Sequence, residues 1–312
     1  MNHGVLFHCL LERHVPVYLI RILHYWYTNQ KLSIRWGSTV SESFTTRNGV
    51  RQGGILSPLL FNVYVDRLST KLNQLETGCL FNGCVINHLM YADDIVLFAP
   101  SVKGLQSLIN VCYRFGNEND IVFNDSKTVF MKMLCNDDKQ QKISFPPVFL
   151  GKIEITPVNT YKYLGHFISD NLNDNVDIKS QTRLIYARGN MLSRNFNNCS
   201  NEVKQVLFRS YMYNIYCCSL WSVFSQDVYK KLISSYNNCF RILFKYPKFC
   251  SASQMFVENR VRSFKEVMRI SCGSLLNQIL MTTNRFLNKY YFCYLSRQSK
   301  PLALWKEYLY IV

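Results

Sequence analysis

Tyr91-Ala92-Asp93-Asp94 places two adjacent carboxylates between two short apolar segments, residues 84–90 and 95–99. Apolar and β-branched residues on both sides of a polar turn predict a β-hairpin, here called the acidic hairpin (residues 84–99). Its apolar flanks predict a central, largely buried hairpin, in which unpaired carboxylates are costly. Mg²⁺ would neutralise them, because it binds one or two carboxylates and completes its shell with water and phosphate oxygens. Considered alone, the Asp-Asp pair favours the plainer interpretation of a polar turn at a sheet edge.

A glycine-rich segment precedes the acidic hairpin: Gly49-Val-Arg-Gln-Gly-Gly-Ile-Leu-Ser-Pro58. Gly53 and Gly54 carry no side chain just before a predicted helix start. There the backbone can approach a ligand closely, and free amides favour phosphate. Arg51 could pair with phosphate, and Gln52 could hydrogen-bond a base or sugar. The alternative is a flexible loop that leads into a capped helix.

Ser57 and Pro58 predict the helix start, because serine caps free amides and proline suits the first helical position. Apolar residues then recur every three or four positions, which predicts one buried helix face through about Glu76. These residues are Leu60, Tyr64, Leu68, Leu72 and Leu75.

Two further candidates rest on weaker patterns. Lys127 follows the turn residues 124–126 and could neutralise or protonate a departing pyrophosphate. A solvated lysine on a strand edge is an equal alternative. Tyr163-Leu164-Gly165 ends an aromatic-rich strand run against which a nucleic-acid backbone could lie, although the local pattern favours a strand glycine at a bulge.

The rest of the chain changes from mixed α and β patterns to helical ones near Asn173. The segment Val15–Trp26 is apolar apart from Arg21 and His24, so it is predicted to be a buried helix. The predicted elements are helices 2–13, 15–29 and 101–118, a hairpin around residues 37–38, strands 121–123, 128–133, 148–150, 153–155 and 161–168, and helices 176–194, 201–216, 226–244 and 261–280.

Positive charge is concentrated in the helical half. Residues 179–300 contain 19 Lys or Arg and 4 Asp or Glu, whereas residues 1–178 contain 16 and 15. This asymmetry predicts a polyanionic partner for the second half, and a generic basic surface is the alternative. Aromatic residues among these charges favour nucleic acid, because bases stack on them. They are Tyr211, Tyr213, Trp221, Tyr229 and Tyr236.

The 12 cysteines include no Cys-x-x-Cys pair, so a zinc site is not expected. Without a recognisable secretory leader, the thiols are expected to be reduced and the protein intracellular, in the nucleus, the cytoplasm or both. No apolar run reaches the roughly 20 residues of a membrane span, so no membrane partner is expected. No small-molecule cofactor is expected either.

Together these segments resemble the reverse transcriptase domain of non-LTR (LINE-type) retrotransposons. Gly49–Phe61 resembles motif B of that family, and Tyr91–Asp94 resembles motif C. Asn124–Thr128 is similar to the end of motif D, and Tyr163–Gly165 is similar to motif E, the primer grip. The resemblance covers about residues 1–250. Motifs B and C are highly specific in this order, whereas D and E are supportive.

The resemblance implies an α+β right-hand polymerase. Incomplete fingers and a palm would occupy residues 1–168, an all-helical thumb residues 169–250, and a helical extension of unknown role residues 251–312. The implied activity is RNA-templated DNA synthesis from deoxynucleoside triphosphates, with an RNA template and a DNA primer. The implied cofactor is a pair of Mg²⁺ ions, for which Mn²⁺ could substitute.

Motif matching also implies roles for single residues. Asp93 and Asp94 would be the catalytic, metal-binding carboxylates, and Lys127 would act near the pyrophosphate. The basic helices after residue 175 would hold the template-primer through its phosphates. The nucleotide and template would be contacted by Arg51, Gln52, Gly53, Gly54 and Tyr91, and the primer grip would comprise Tyr163, Leu164 and Gly165.

One departure from the family concerns motif A, which carries another essential metal-binding Asp just before an Asn-His pair. Asn2-His3 resembles that pair, so motif A is expected to be absent, as is any endonuclease domain. A two-metal site needs carboxylates on both ions, and Asp66 does not resemble a replacement. The chain by itself is therefore expected to be inactive or nearly so. The alternatives are a non-catalytic RNA/DNA-binding remnant, which would tolerate loss of Asp93 and Asp94, and a maturase-like RNA-binding protein.

Overall fold

The computed structural model describes residues 1–46, 48–133, 145–293 and Trp305. The chain divides into two compact units, unit 1 (Met1–Phe130 with Lys142–Pro157) and unit 2 (Met131–Gln141 with Val158–Val312). The predicted mixture of helix and strand is confirmed. The predicted division at residues 168 and 250 stays a prediction, and residues 294–304 and 306–312 of the predicted extension lie outside the described residues.

Unit 1 combines helices with paired short strands. The pairs β1–β4, β2–β3, β5–β6, β7–β8 and β10–β11 are antiparallel, and the pair β9–β12 is parallel. The elements are α1 (His3–Glu12), α2 (Val17–Thr28), β1 (Lys31–Leu32), β2 (Arg35–Trp36), β3 (Thr39–Val40), β4 (Phe44–Thr45), α3 (Ser57–Asn73), β5 (Cys79–Phe81), β6 (Cys84–Ile86), β7 (His88–Tyr91), β8 (Asp94–Leu97), α4 (Val102–Glu118), β9 (Val129–Phe130), β10 (Phe149–Leu150), β11 (Ile153–Glu154) and β12 (Thr156–Pro157).

Helix α3 is the centre of unit 1. Its predicted apolar face is confirmed: Leu60, Tyr64, Leu68 and Leu72 are buried, and they join the cores formed with α1 and α4. The predicted role of Ser57 as the cap is wrong. Ser57 is already helical, and its hydroxyl donates to the carbonyl of Arg51 at 2.5 Å, so it closes the preceding loop instead of the helix end.

Helix α4 has a side-chain cap at its N-terminus and a backbone cap at its C-terminus. Ser101 accepts a hydrogen bond from the amide of Gly104 at 3.1 Å, as the sequence predicts. At the other end Asp120 adopts a left-handed φ of 53°, and the amide of Ile121 donates to the carbonyl of Gly116. The predicted strand 121–123 is therefore absent, because its first amide completes the helix C-terminus.

Helix α2 differs most from its prediction. Only Ile20 and Tyr27 are buried. Tyr18, Tyr25 and Trp26 are exposed, because α1 contacts one side of the helix and the other side faces solvent in the described part of the chain.

The described part of unit 2 contains one hairpin followed by helices. Between α6 and α7 lies a short 3₁₀ turn, Cys218–Leu220. Helices α8 and α10 were not predicted. No described helix in either unit is both long and apolar enough to cross a bilayer. The elements are β13 (Thr160–Tyr163), β14 (His166–Ser169), α5 (Asn175–Phe196), α6 (Asn201–Met212), α7 (Gln226–Phe244), α8 (Ala252–Glu258), α9 (Phe264–Met281) and α10 (Arg285–Phe292).

Aromatic side chains form much of the unit 2 core. Trp221 and Tyr236 are fully buried, and Tyr236 packs edge-on against Phe208 at a ring separation of 5.3 Å. The prediction that Trp221 and Tyr236 stack on bases is therefore wrong, since burial in the core leaves neither ring face open to a ligand. Helices α5 and α7 pack closely at Gly189, where an added Cβ would lie 2.3 Å from the sulfur of Cys239.

Candidate functional site

The acidic hairpin has the predicted two-stranded form. Strands β7 and β8 pair in register, with Tyr91 opposite Asp94, so Ala92 and Asp93 form a two-residue turn. Ala92 adopts a left-handed φ of 52°, which is strained for alanine. The prediction that the carboxylates are buried is wrong. Asp93 and Asp94 are exposed, because the helices cover one face of the strands and leave the turn open to solvent.

Helix α3 holds the base of the acidic hairpin. Asn87 is buried, and its side-chain amide donates to the carbonyl of Leu72 at 2.7 Å. The ring of His88 lies 2.8 Å from the hydroxyl of Ser69 through Nε2. Burial lowers the pKa of His88, so the neutral ring is favoured at this contact. The helix that follows the glycine-rich segment therefore positions the strand that leads into Asp93.

The glycine-rich segment closes into a tight loop before α3. The amide of Gly54 donates to the carbonyl of Arg51 at 3.0 Å, and the hydroxyl of Ser57 donates to the same carbonyl. Gly53 has a φ of 81°, a conformation that favours glycine. The side chains of Arg51 and Gln52 are exposed. The loop thus presents two polar side chains beside a left-handed glycine, as a ligand-binding loop would.

The start of α1 lies against this loop, a contact that was not predicted. The ring of His3 lies 2.9 Å from the carbonyl of Gly49 through Nε2, and the amide of Gly49 donates to the carbonyl of Met1 at 2.9 Å. Asn2 caps α1 through Oδ1 and donates to the carboxylate of Asp120 at 2.8 Å. An Asn before an apolar helix signals a cap, but no local pattern signals the contact with Gly49.

Lys127 follows a turn built by the side chain of Asn124. The Oδ1 atom of Asn124 accepts from the hydroxyl of Ser126 at 2.7 Å and from the amide of Lys127 at 3.0 Å. The side chain of Lys127 is exposed. Its role near pyrophosphate stays a prediction.

Several carboxylates elsewhere in unit 1 pair with basic side chains. Asp66 forms an ion pair with Arg13, the residue that follows α1, so it is not a third acid at the acidic hairpin. Within the described ranges, no group of three or more His, Cys, Asp or Glu side chains is placed to hold a metal ion. Asp93 and Asp94 alone supply hard oxygen donors of the kind that Mg²⁺ binds, with substrate phosphates and water as further ligands. The two residues therefore fit one such ion.

The Tyr163-Leu164-Gly165 candidate lies in unit 2, at the tip of hairpin β13–β14, here called the grip hairpin (residues 160–169). Tyr163 pairs with His166, and Leu164 and Gly165 form the turn with φ values of 45° and 85°. The interpretation of Gly165 as a bulge is therefore wrong, because both turn residues need left-handed backbone. An added Cβ at Gly165 would lie 3.0 Å from the ring of Tyr216.

A buried carboxylate, Asp177, lies behind the grip hairpin. It accepts hydrogen bonds from the indole of Trp221 at 2.8 Å and from the amide of Phe167 at 3.1 Å, and Nδ1 of His166 lies 3.1 Å from it. Burial raises its pKa, but these three neighbouring groups outweigh burial and the pKa lies below its ordinary range. Sequence patterns do not reveal this cluster, because its members are up to 55 positions apart and share no periodicity.

Some arginines of unit 2 bind helix ends and so are only partly available to a ligand. Arg188 donates to the carbonyls of Tyr211 and Asn214 at 3.1 and 2.9 Å. Arg209 donates to the carbonyl of Arg260 at 2.9 Å. Other basic side chains of these helices are exposed: Lys179, Arg183, Lys230, Lys231, Lys265 and Arg269.

The chain is similar to mobile-element proteins along more than half its length. Residues 2–168 match the family of "Reverse transcriptase (RNA-dependent DNA polymerase)". The Pol polyprotein of the type-1 retrotransposable element R2 of Nasonia vitripennis is 29% identical over 171 residues, which are 53% of this chain and 16% of that protein. Its counterpart from Popillia japonica is 32% identical over 143 residues, 44% of this chain and 23% of that protein.

A further relative reaches into the helical half. The probable RNA-directed DNA polymerase from transposon X-element of Drosophila melanogaster is 22% identical over 247 residues, 75% of this chain and 26% of that protein. The chain thus spans about a quarter or less of the length of these relatives. Because the family match covers the acidic hairpin, the glycine-rich loop and the turn of the grip hairpin, the family is settled: the chain belongs to the reverse transcriptase family.

Proposed function

We propose that this chain is the polymerase region of a non-LTR (LINE-type) retrotransposon reverse transcriptase, which synthesises DNA on an RNA template. The observation that carries the proposal is an exposed Asp93–Asp94 pair at a hairpin turn anchored on α3, the helix opened by the Arg51–Gly54 loop. A phosphoryl-transfer site must admit a triphosphate and a nucleic-acid end, so exposure of the carboxylates suits this role better than burial does.

Asp93 and Asp94 would hold Mg²⁺, or Mn²⁺, which prefers the same oxygen ligands. When bound, the ion would supply charge stabilisation to the triphosphate and lower the pKa of the primer hydroxyl. Arg51 would pair with phosphate, and the left-handed turn at Gly53 would let the backbone approach the nucleotide. Lys127 would neutralise the departing pyrophosphate.

The helices within residues 169–250 would form the thumb, and residues 251–312 would be an extension of unknown role. The exposed basic side chains of these helices would bind the phosphates of the RNA–DNA duplex without reading its sequence. Tyr163, Leu164 and Gly165, at the tip of the grip hairpin, would contact the primer strand. The partners would therefore be an RNA template, a DNA primer and deoxynucleoside triphosphates.

We also propose that the polypeptide of residues 1–312 extends primers very slowly or not at all by itself. Two neighbouring carboxylates fit one ion, whereas a two-metal site needs carboxylates on both, and no third acid joins Asp93 and Asp94 among the described residues. Asp66, the one acidic residue of α3, is instead paired with Arg13.

Three measurements on the 1–312 polypeptide test these proposals: duplex binding, triphosphate binding and primer extension. Fluorescence anisotropy should detect salt-dependent binding of an RNA–DNA primer-template, and Mg²⁺ should promote binding of a deoxynucleoside triphosphate only when Asp93 and Asp94 are intact. Absence of duplex binding would refute the polymerase role. Equal triphosphate binding by Asp93→Asn and wild type would favour the non-catalytic binding protein. Robust primer extension that Asp93→Ala abolishes would refute the proposed inactivity and uphold the polymerase.

A further inference from the structure

Asp177 is buried, and its lowered pKa favours the charged carboxylate. Its side chain is 1% exposed. A carboxylate in such a place is costly unless hydrogen bonds compensate it. Two donors do so here, the indole of Trp221 and the amide of Phe167, and Nδ1 of His166 lies 3.1 Å from the carboxylate.

These three groups belong to two different parts of unit 2. Phe167 and His166 lie on β14, directly after the turn of the grip hairpin, while Trp221 follows the 3₁₀ turn before α7. Asp177 itself lies in the first turn of α5. One carboxylate therefore links the tip-side half of the hairpin to a helix and to a core tryptophan.

A second link holds the base of the same hairpin. The hydroxyl of Ser169 donates to the carbonyl of Asn173 at 2.8 Å and accepts from its amide at 2.9 Å. Two links at different heights on a strand fix its direction, whereas one link alone lets the strand pivot. Removal of the Asp177 link would leave the base attached and free the turn to change direction.

We propose that Asp177 is a positioning residue that fixes the direction of the grip hairpin, and thereby of the turn that contacts the primer strand. The proposal rests on the proposed polymerase function, because it takes from that function the primer as ligand of the turn. Asp177 does not touch the primer. It acts through the Phe167 amide and the His166 ring.

The chain offers a matched control next to the same helix. Asp174 precedes α5, and its Oδ2 atom accepts from the amides of Ser222 and Val223 at 2.7 and 2.9 Å. It therefore holds the segment next to Trp221 but not the hairpin. Asp174→Asn makes the same carboxylate-to-amide change as Asp177→Asn and should leave the direction of the hairpin unchanged.

The test uses the whole 1–312 chain and an RNA–DNA primer-template with 4-thiothymidine at the primer 3′ end. Crosslinks are mapped by mass spectrometry at saturating duplex, with circular dichroism as the check on folding. We expect wild type and Asp174→Asn to crosslink within residues 160–169. Asp177→Asn should lose about fivefold or more of that crosslink, as the loss of a charge-assisted anchor predicts. Its duplex affinity should fall less, because phosphate contacts dominate binding.

The outcomes separate the two proposals. If wild type binds no duplex, the polymerase function fails. If wild type binds duplex but crosslinks elsewhere, or if Asp177→Asn crosslinks as wild type does, the positioning role is overturned while the polymerase function stands. Should Asp177→Asn not fold, Trp221→Phe removes one donor and keeps an aromatic ring, and it should reduce the crosslink by a smaller factor. An unchanged crosslink in a folded Trp221→Phe protein would then overturn the proposal.

Discussion

Gly54→Ala tests the hydrogen bond that closes the glycine-rich loop. The new Cβ would lie 2.7 Å from the hydroxyl oxygen of Ser57 and 3.1 Å from the carbonyl oxygen of Arg51. The hydroxyl must rotate away, which breaks its bond to Arg51 and costs about 1 kcal/mol. Crowding at the carbonyl adds about 1 kcal/mol to this cost. The lower conformational entropy of the unfolded alanine chain offsets about 0.5 kcal/mol of it. The free energy of unfolding should therefore fall by about 1–2 kcal/mol.

A double-mutant cycle with Ser57→Ala isolates the cause. In that background the hydroxyl bond is already absent, so Gly54→Ala should cost about 1 kcal/mol less than in wild type. Gly53→Ala is the control: nothing lies within 4 Å of its Cβ, and its cost of about 1–2 kcal/mol comes from the left-handed backbone alone. Urea unfolding followed by circular dichroism measures all four proteins of the cycle and the control. Additive effects of Gly54→Ala and Ser57→Ala would refute the reasoning.

Three further predictions concern packing, protonation and thiol reactivity. Gly189→Ala should lower the free energy of unfolding of unit 2 by about 1–3 kcal/mol in urea, because overlap of the added methyl with Cys239 costs more than the gain in helix propensity. An unchanged unfolding midpoint would contradict the close approach of α5 and α7. The pKa of Asp177 is lowered in the folded state, so its carboxylate stabilises the fold above pH 3.8 and loses this effect on acidification. The difference in unfolding free energy between wild type and Asp177→Asn should therefore shrink as the pH falls below 3.8, and a constant difference would contradict the lowered pKa. Burial raises the pKa of the Cys112 thiol to about 12. Iodoacetamide at pH 8 should therefore label the exposed Cys79 in the native protein and label Cys112 only in urea. Equal labelling of the two cysteines in the native protein would contradict the burial of Cys112.

Sequence patterns correctly predict the elements that depend only on neighbouring residues. The apolar period of α3, the Ser101 cap of α4 and the turn at Ala92–Asp93 each depend on neighbouring residues, so they could be read without tertiary information. The predicted capping role of Ser57 is wrong because a serine before a proline can either cap a helix or close the preceding loop. Only the position of the Arg51 carbonyl decides between them.

Burial was the property that sequence could not determine. The apolar residues around Asp93 predict a core hairpin, but only the helices that pack on it decide that one face stays open. The same limit applies to Trp221, whose aromatic ring suits base stacking and core packing equally. The Asp177 cluster joins residues far apart in the chain, and its donors become visible only when α5, β14 and the 3₁₀ turn come together.

The left-handed backbone at Ala92 restricts which side chains the acidic hairpin accepts at that position. Glycine and asparagine occupy this region with little penalty, whereas valine, isoleucine and threonine crowd their own carbonyl there. A branched substituent would push the turn toward extended geometry and shift the strand that follows by one position. Such a shift turns Asp94 toward the opposite side of the sheet. In a saturation library, position 92 should therefore tolerate glycine and asparagine better than valine, isoleucine and threonine.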